Sequence, residues 1–191
     1  LFPKSEDNDN EESEFPKSTL YLDKIDITKG HVVVWDQNKD KPEKIGMDYS
    51  HLDIDSIYLS MRNLSFNGDT IIGYFDHLSA IDKSGFSVEE FSSNSPFLVS
   101  SQGFKFKNLH LKSHATDINI DLQFIYDGYS GFTKFVDSIM IIANIKETQL
   151  TLSDLKYFSQ TMGKMTDTLQ ISGLINGFVR DFTANNFSFS F

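Results

Sequence analysis

The chain of 191 residues has no cysteine, four prolines, a single tryptophan and no excess of basic charge. The missing thiols exclude disulfides and thiolate metal sites, and they leave the compartment open, because a disulfide-free protein is compatible with oxidising and reducing spaces alike. A net charge of −10 with no basic stripe excludes the clustered lysine and arginine that drive binding to a nucleic-acid backbone. No run approaches the ~20 apolar residues of a membrane-spanning helix, and Leu1-Phe2-Pro3-Lys4 lacks the charged head and apolar stretch of a signal peptide. Eighteen phenylalanines and 39% hydrophobic residues remain, enough for a sizeable core or for a wall that faces something greasy.

Residues 1–17 contain the run Glu6 to Glu14, EDNDNEESE, which has no apolar side chain to offset the entropy of ordering and reads as a disordered acidic linker. Residues 18–191 read as one β-rich domain. Its dominant signal is alternation of apolar and polar residues, the period of strands with two unlike faces. LYLDKIDI, Lys29-Gly30 and HVVVWDQ read as a hairpin with a glycine-bearing turn. In HLDIDSIYLSMRNLSF the apolar set changes parity after Ile54, which predicts a bulge near Asp55-Ser56. Gly128 to Ser138 reads as a loop or short helix, and SIMIIANI as a strand apolar on both faces. Ser153 heading SDLKYFSQTM, with Leu155, Phe158 and Met162 at helical spacing, predicts one short helix near 153–162. The fold class is therefore mainly β, built from long antiparallel amphipathic strands. Because the chain starts without methionine and stops in mid-strand at Phe187, Phe189 and Phe191, it is expected to be a fragment of a longer protein.

Chemistry-bearing motifs are sparse. Asp36-Gln37-Asn38-Lys39-Asp40 copies the first ligand positions of a calcium loop, but Lys41 stands where glycine is needed and Met47 where the bidentate acid belongs. His51, Asp53 and Asp55 share one strand parity, as do Asp117, Asn119 and Asp121, which any half-solvated strand also shows. His110 and His114 lack an accompanying glutamate. P-loop, dinucleotide and nucleophile-elbow signatures are missing, so neither catalysis nor a cofactor is expected.

What stands out is the apolar set itself. It comprises Ile57, Leu59 and Met61, then Phe104, Phe106, Leu109 and Leu111, then Ile118, Ile120, Leu122 and Phe124. Ile139, Ile141, Leu150 and Leu152 follow, with Leu169 and Ile171, and finally Phe187, Phe189 and Phe191. A closed core and a ligand-lining wall both use such residues.

Taken in order, LDKIDITKGHVVVWD, SGFSVEEFSS, GFKFKNLHLKS with DINIDLQFIY, LTLSDLKYF and LQISGLINGFVRDFTANNFSF resemble the TamB translocation and assembly module family within the AsmA-like group. The resemblance implies a Gram-negative periplasmic β structure, curled into a trough and tethered to the inner membrane by a helix this chain lacks. It further implies an apolar inner wall that carries phospholipid acyl chains toward the outer membrane, and a partner among BamA-type barrel proteins. The competing expectation is a structural spacer or docking module of the envelope with a sealed core. An envelope hydrolase or carbohydrate-binding domain fits least, for want of paired acids and aromatic platforms.

Overall fold

A computed structural model describes residues 19–39, 46–48, 50–128, 130–131, 135–157 and 164–191. The acidic linker, Asp40 of the calcium-like loop, and Phe158 and Met162 of the expected helix lie outside the described residues.

The described chain forms one antiparallel sheet of ten strands. They are β1 (Thr19–Val33), β2 (Asp53–Asn67), β3 (Thr70–Asp82), β4 (Ser87–Ser93), β5 (Phe97–Ser100), β6 (Gly103–Ser113), β7 (Thr116–Ile125), β8 (Met140–Thr151), β9 (Thr168–Phe178) and β10 (Asp181–Ser190). Each strand pairs with its neighbour in sequence, and β4 and β5 lie end to end between β3 and β6. The break between them holds Pro96, which cannot donate to a ladder. The architecture is thus a plain meander of nine strand positions, the arrangement that short turns such as Asn67-Gly68-Asp69 and His114-Ala115 permit.

Two local readings change. The Lys29-Gly30 pair is no hairpin turn: β1 runs straight through it, with Lys29 at φ 60° and the register against β2 shifting on both sides of Gly30. A left-handed residue followed by glycine suits a turn or a bulge equally, and here the partner strand continues, so a bulge forms. Of the expected helix near 153–162, the described part is a 3-10 helix over Leu152–Tyr157, with Asp154 in its first turn accepting the Thr116 hydroxyl at 2.7 Å. The β7–β8 connection holds a single helical turn, α1 (Phe135–Ser138). The bulge predicted at Asp55-Ser56 is present, with Ser56 at φ 51° and a register shift beside it. Among the described residues no helix is long and apolar enough to cross a membrane.

Full burial is confined to a few places. Leu64 and Phe97 meet over Gly73 in the middle of the sheet. At the two ends of the β7–β8 connection Ile139, 0% exposed, and Tyr126 are buried, and the Tyr126 hydroxyl donates to the Ser100 carbonyl at 2.9 Å. At the opposite strand ends Tyr157 packs on Phe86, and its carbonyl accepts the Met47 amide at 2.9 Å. In the middle of the sheet Leu109 and Ala143 are buried as well, and most of their apolar neighbours are half-buried.

Candidate functional site

Residues directly opposite in an antiparallel ladder project to the same side, so the register decides which side chains share a face. Phe104, Phe106, Leu109 and Leu111 on β6 face Phe124, Leu122, Ile120 and Ile118 on β7. Phe124, Leu122 and Ile120 in turn face Ile141, Ala143 and Ile145 on β8, which face Gly177, Ile175 and Gly173 on β9. Leu150 faces Leu169, and Ile171 faces Phe189 on β10. Toward the other edge, Leu111 faces Phe91, Phe91 faces Leu78, Leu78 faces Leu59, and Leu59 faces Ile27 on β1. Met61 lies opposite Phe75 and Ile25, and Ile57 opposite Gly30. Phe191 follows β10 with its ring edge-on to Phe189 at 6.0 Å. Of the apolar residues singled out in the sequence, those on strands fall on one continuous wall running from β1 to β10, while Ile139 and Leu152 lie in the connections on either side of β8.

The centre of that wall is a cluster of phenylalanines. Phe106 lies within 6.0 Å, centroid to centroid, of Phe75, Phe91, Phe97 and Phe104, and Phe104 meets Phe124 at 4.3 Å. Phe75, Phe91 and Phe97 come from β3, β4 and β5, and alternation does not pick them out, because β3 carries an extra residue at Asp76 and β4 ends at a proline break. Such ring pairs add stabilisation beyond their area, roughly 0.5–1.5 kcal/mol each.

The register also reveals a repeated device. Three strands carry the pattern apolar-x-Asn-apolar-x-apolar: Met61 to Phe66 on β2, Phe106 to Leu111 on β6, and, with alanine first, Ala184 to Phe189 on β10. The asparagines Asn63, Asn108 and Asn186 have φ of 51°, 50° and 50°. Asparagine tolerates the left-handed region better than other residues with a Cβ. Each asparagine adds one residue to its strand, so the wall residues before and after it are three apart and still share a face. β8 shows the same spacing from Ile145 to Leu150, with one extra residue at Lys146-Glu147. Followed through the ladders, these interruptions fall at one level of the sheet, joined by Asp76 on β3 and the break between β4 and β5.

On the polar face the β6 bulge is clamped. Asp121 accepts the Asn108 amide at 2.7 Å and the Lys146 ammonium at 2.9 Å, while Lys146 also donates to the Asn108 side chain at 2.6 Å. Partial burial opposes ionisation of Asp121, but the Asn108 amide and Lys146 outweigh it and hold the carboxyl below the usual carboxylate range. Because its folded-state pKa lies below the unfolded value, its contribution is fully present above about pH 5 and fades as pH falls through the depressed value. Asp121→Ala is expected to lower the unfolding free energy by roughly 1–2 kcal/mol near pH 7. That difference should shrink as pH falls through the depressed folded-state value, where the wild-type carboxyl is itself protonated. Urea titrations across this range check the sign.

Metal-like constellations resolve into local pairs. His51 is buried, its ring nitrogens facing the Asp48 carboxylate at 2.9 Å and the Asp36 carbonyl at 3.0 Å. Asp53 pairs with His31 at 2.7 Å, and Asp36 accepts the Asn38 backbone amide. His110 sits between Glu90 and Asp117, whereas His114 is in the β6–β7 turn beside Ser87. Asp117 and Asn119 bond each other, and Asp121 belongs to the bulge clamp. Among the described residues no three potential ligands converge on one point.

The chemistry this arrangement offers is therefore apolar contact. One face of the sheet is a hydrocarbon-like surface, half-buried in the middle and exposed at both edges, where Leu20, Val32, Phe182 and Phe189 lie open to solvent. The other face carries most of the charges and amides, interspersed with exposed Ile72, Leu98, Ile142 and Leu174. No family model, no curated protein and no solved structure matches the chain.

Proposed function

We propose that this chain is a periplasmic section of a TamB/AsmA-like envelope bridge, anchored in full length to the inner membrane, whose apolar wall carries phospholipid acyl chains between membranes. One observation carries the reading: a single apolar face crosses all nine strand positions, and the described residues contribute no second sheet to cover it. A sealed core of this size would hide most of its aliphatic and aromatic residues. Here Leu64, Phe97, Leu109, Ile139 and Ala143 are buried, and most other wall residues in the middle of the sheet keep intermediate exposure.

The aligned bulges support a curled shape. Each bulge bends its strand and increases the local twist, so a row of them at one level creases the sheet along the direction in which strands stack. A crease of that kind turns a flat wall into a trough open at its β1 and β10 ends, with the β7–β8 connection and the 3-10 helix as rims. An acyl chain leaving a membrane exposes methylenes at about 0.8 kcal/mol each, and an uninterrupted apolar path removes that cost along its length. The role needs no catalytic group and no cofactor. A BamA-type barrel is the outer-membrane partner that the reading assigns to the full-length protein.

The test is site-specific photo-crosslinking in membranes containing labelled phospholipid. Probes at Phe106 and Ile120 should capture lipid, and probes at Lys105 and Gln123 on the polar face should not. Equal labelling of both faces, or protein adducts alone at Phe106 and Ile120, would replace the lipid path by a docking or spacer role.

A further inference from the structure

We propose that Asn67 is a site of spontaneous deamidation, selected by the β2–β3 turn over the other sequence positions where the same chemistry is written. The inference stands on that turn alone and goes beyond the lipid reading, so either can fail without the other.

The chain holds two Asn-Gly pairs, Asn67-Gly68 and Asn176-Gly177, and one Asp-Gly pair, Asp127-Gly128. Such pairs are chemically marked, because glycine has no Cβ to keep its amide nitrogen away from the preceding side-chain carbonyl. The Gly68 nitrogen, having lost its proton to hydroxide, attacks the Asn67 side-chain carbon Cγ. The bond from Cγ to the side-chain nitrogen breaks, and that nitrogen takes a proton from water and leaves as ammonia. Water then opens the cyclic imide. Addition at the side-chain carbonyl gives aspartate, and addition at the main-chain carbonyl gives isoaspartate, in which the chain runs through the side chain. The sum consumes one water and releases one ammonia.

The fold separates the three pairs. Asn67 ends β2 opposite Thr70, across the turn Gly68-Asp69, and both Asn67 and Gly68 are exposed. Among the described residues neither the Asn67 side chain nor the Gly68 amide has a hydrogen-bond partner. Gly68 has φ 60°, and nothing lies within 4 Å of the place its Cβ would take. The turn is anchored through Asp69, whose carboxylate accepts the Ser101 amide at 3.0 Å and the hydroxyls of Ser101 and Thr70. None of these bonds holds the reacting atoms. Asn176-Gly177 lies inside β9 instead, with Asn176 opposite Ile142 and Thr183, and Gly177 opposite Ile141 and Phe182. The Thr183 hydroxyl donates to the Asn176 carbonyl at 3.0 Å, and the Asp181 carbonyl stands 2.5 Å from the place of a Gly177 Cβ. Ring closure there requires two ladders to open, whereas a hairpin tip opens at far lower cost. At Asp127-Gly128 the attacking amide is already engaged, donating to the Ser101 carbonyl at 2.9 Å.

The product acts on the corner where β1, β2 and β3 meet. Asn67 stands opposite Thr19 on β1 as well as Thr70 on β3, and Phe66 beside it stands opposite Leu20 and Ile71. Isoaspartate lengthens the backbone at this point, which displaces the pairing of the residues next to it. Aspartate adds a negative charge in the same turn as Asp69.

The test incubates the purified chain in mildly alkaline buffer, folded and in urea, and follows each site by peptide mapping with mass spectrometry. In urea Asn67 and Asn176 should convert at similar rates, since both are then unhindered Asn-Gly pairs. In the folded chain Asn67 should convert at least about tenfold faster than Asn176, and Asp127 should isomerise more slowly than in urea. Gly68→Ala puts a methyl group on the attacking residue and should slow conversion at Asn67 about tenfold. The purified isoaspartyl form should exchange the Phe66 and Ile71 amides about threefold faster than the parent, or more. The inference is overturned by equal conversion of the two asparagines in the folded chain, or by a folded chain that keeps Asn67 intact after urea has consumed it. Conversion indifferent to Gly68→Ala, or an isoaspartyl form that exchanges like the parent at this corner, would overturn it too.

Discussion

Replacing Phe97 by alanine is expected to lower the unfolding free energy by about 3–5 kcal/mol, the range found for large-to-small changes at buried aromatic sites. Phe97 is 3% exposed, stacks on Phe106 at 5.6 Å, tilts against Phe75 at 5.0 Å and reaches Leu64 across Gly73. The neighbours cannot close over the gap, because Phe75 and Phe106 are held by adjacent strands and β5 is only four residues long. Phe191→Ala, at a side chain 86% exposed, should leave stability within about 0.5 kcal/mol. Urea unfolding of the two variants separates a phenylalanine that holds the sheet from one that merely lies on its surface. Similar losses for both would mean that the central cluster is not the anchor described.

The second large effect is expected at Gly173. Its φ is 146°, and a Cβ built there would approach the Phe187 ring to 2.8 Å and the Phe187 backbone to 2.9 Å. The ring can rotate aside but the backbone cannot, so Gly173→Val combines backbone strain with a clash that only lifting β10 relieves. The expected cost is about 2–5 kcal/mol. Hydrogen exchange should show protection lost in β10 and the adjoining part of β9, with β2 to β7 unchanged. Adding Phe187→Ala removes the ring and leaves the backbone clash in place, so it should restore only part of the loss. Gly177, at φ 140° and with a Cβ position 2.7 Å from the Phe182 backbone, predicts the same pattern for its own substitution. Uniform destabilisation across the sheet would contradict this account.

The sequence disclosed strand character readily, because alternation is a direct imprint of a sheet with one apolar face. The bulge at Ser56 was visible for the same reason, as a change of parity between Ile54 and Ile57. The wall's extent was harder to see. Across Arg62-Asn63, Lys107-Asn108 and Asn185-Asn186 the wall residues are three apart, so counting in twos moves half of each strand to the wrong face. The signal that finds them is the asparagine followed by apolar-x-apolar, written three times as NLSF, NLHL and NFSF. Lys29-Gly30 was ambiguous because its residues suit a turn and a bulge alike, and only the continuing β2 ladder distinguishes them. The phenylalanines of β3, β4 and β5 come together through pairing between strands, information that no single strand contains.

The meander has a consequence for how the molecule grows and fails. Apart from β4 and β5, which share one position between β3 and β6, every strand pairs with the strand next to it in sequence, so the structure is quasi-one-dimensional, each unit depending on its immediate neighbours. Length is then set by strand number alone: at about 4.8 Å between neighbours, nine positions give roughly 40 Å of wall, and each further hairpin would add about 10 Å. The turns at Gly68-Asp69 and His114-Ala115 are short, so the β2–β3 and β6–β7 hairpins are among those that close at the lowest entropic cost. Unravelling starts at the ends. A defect near β10 therefore shortens the sheet while leaving its middle intact, much as a zip opens from its last teeth.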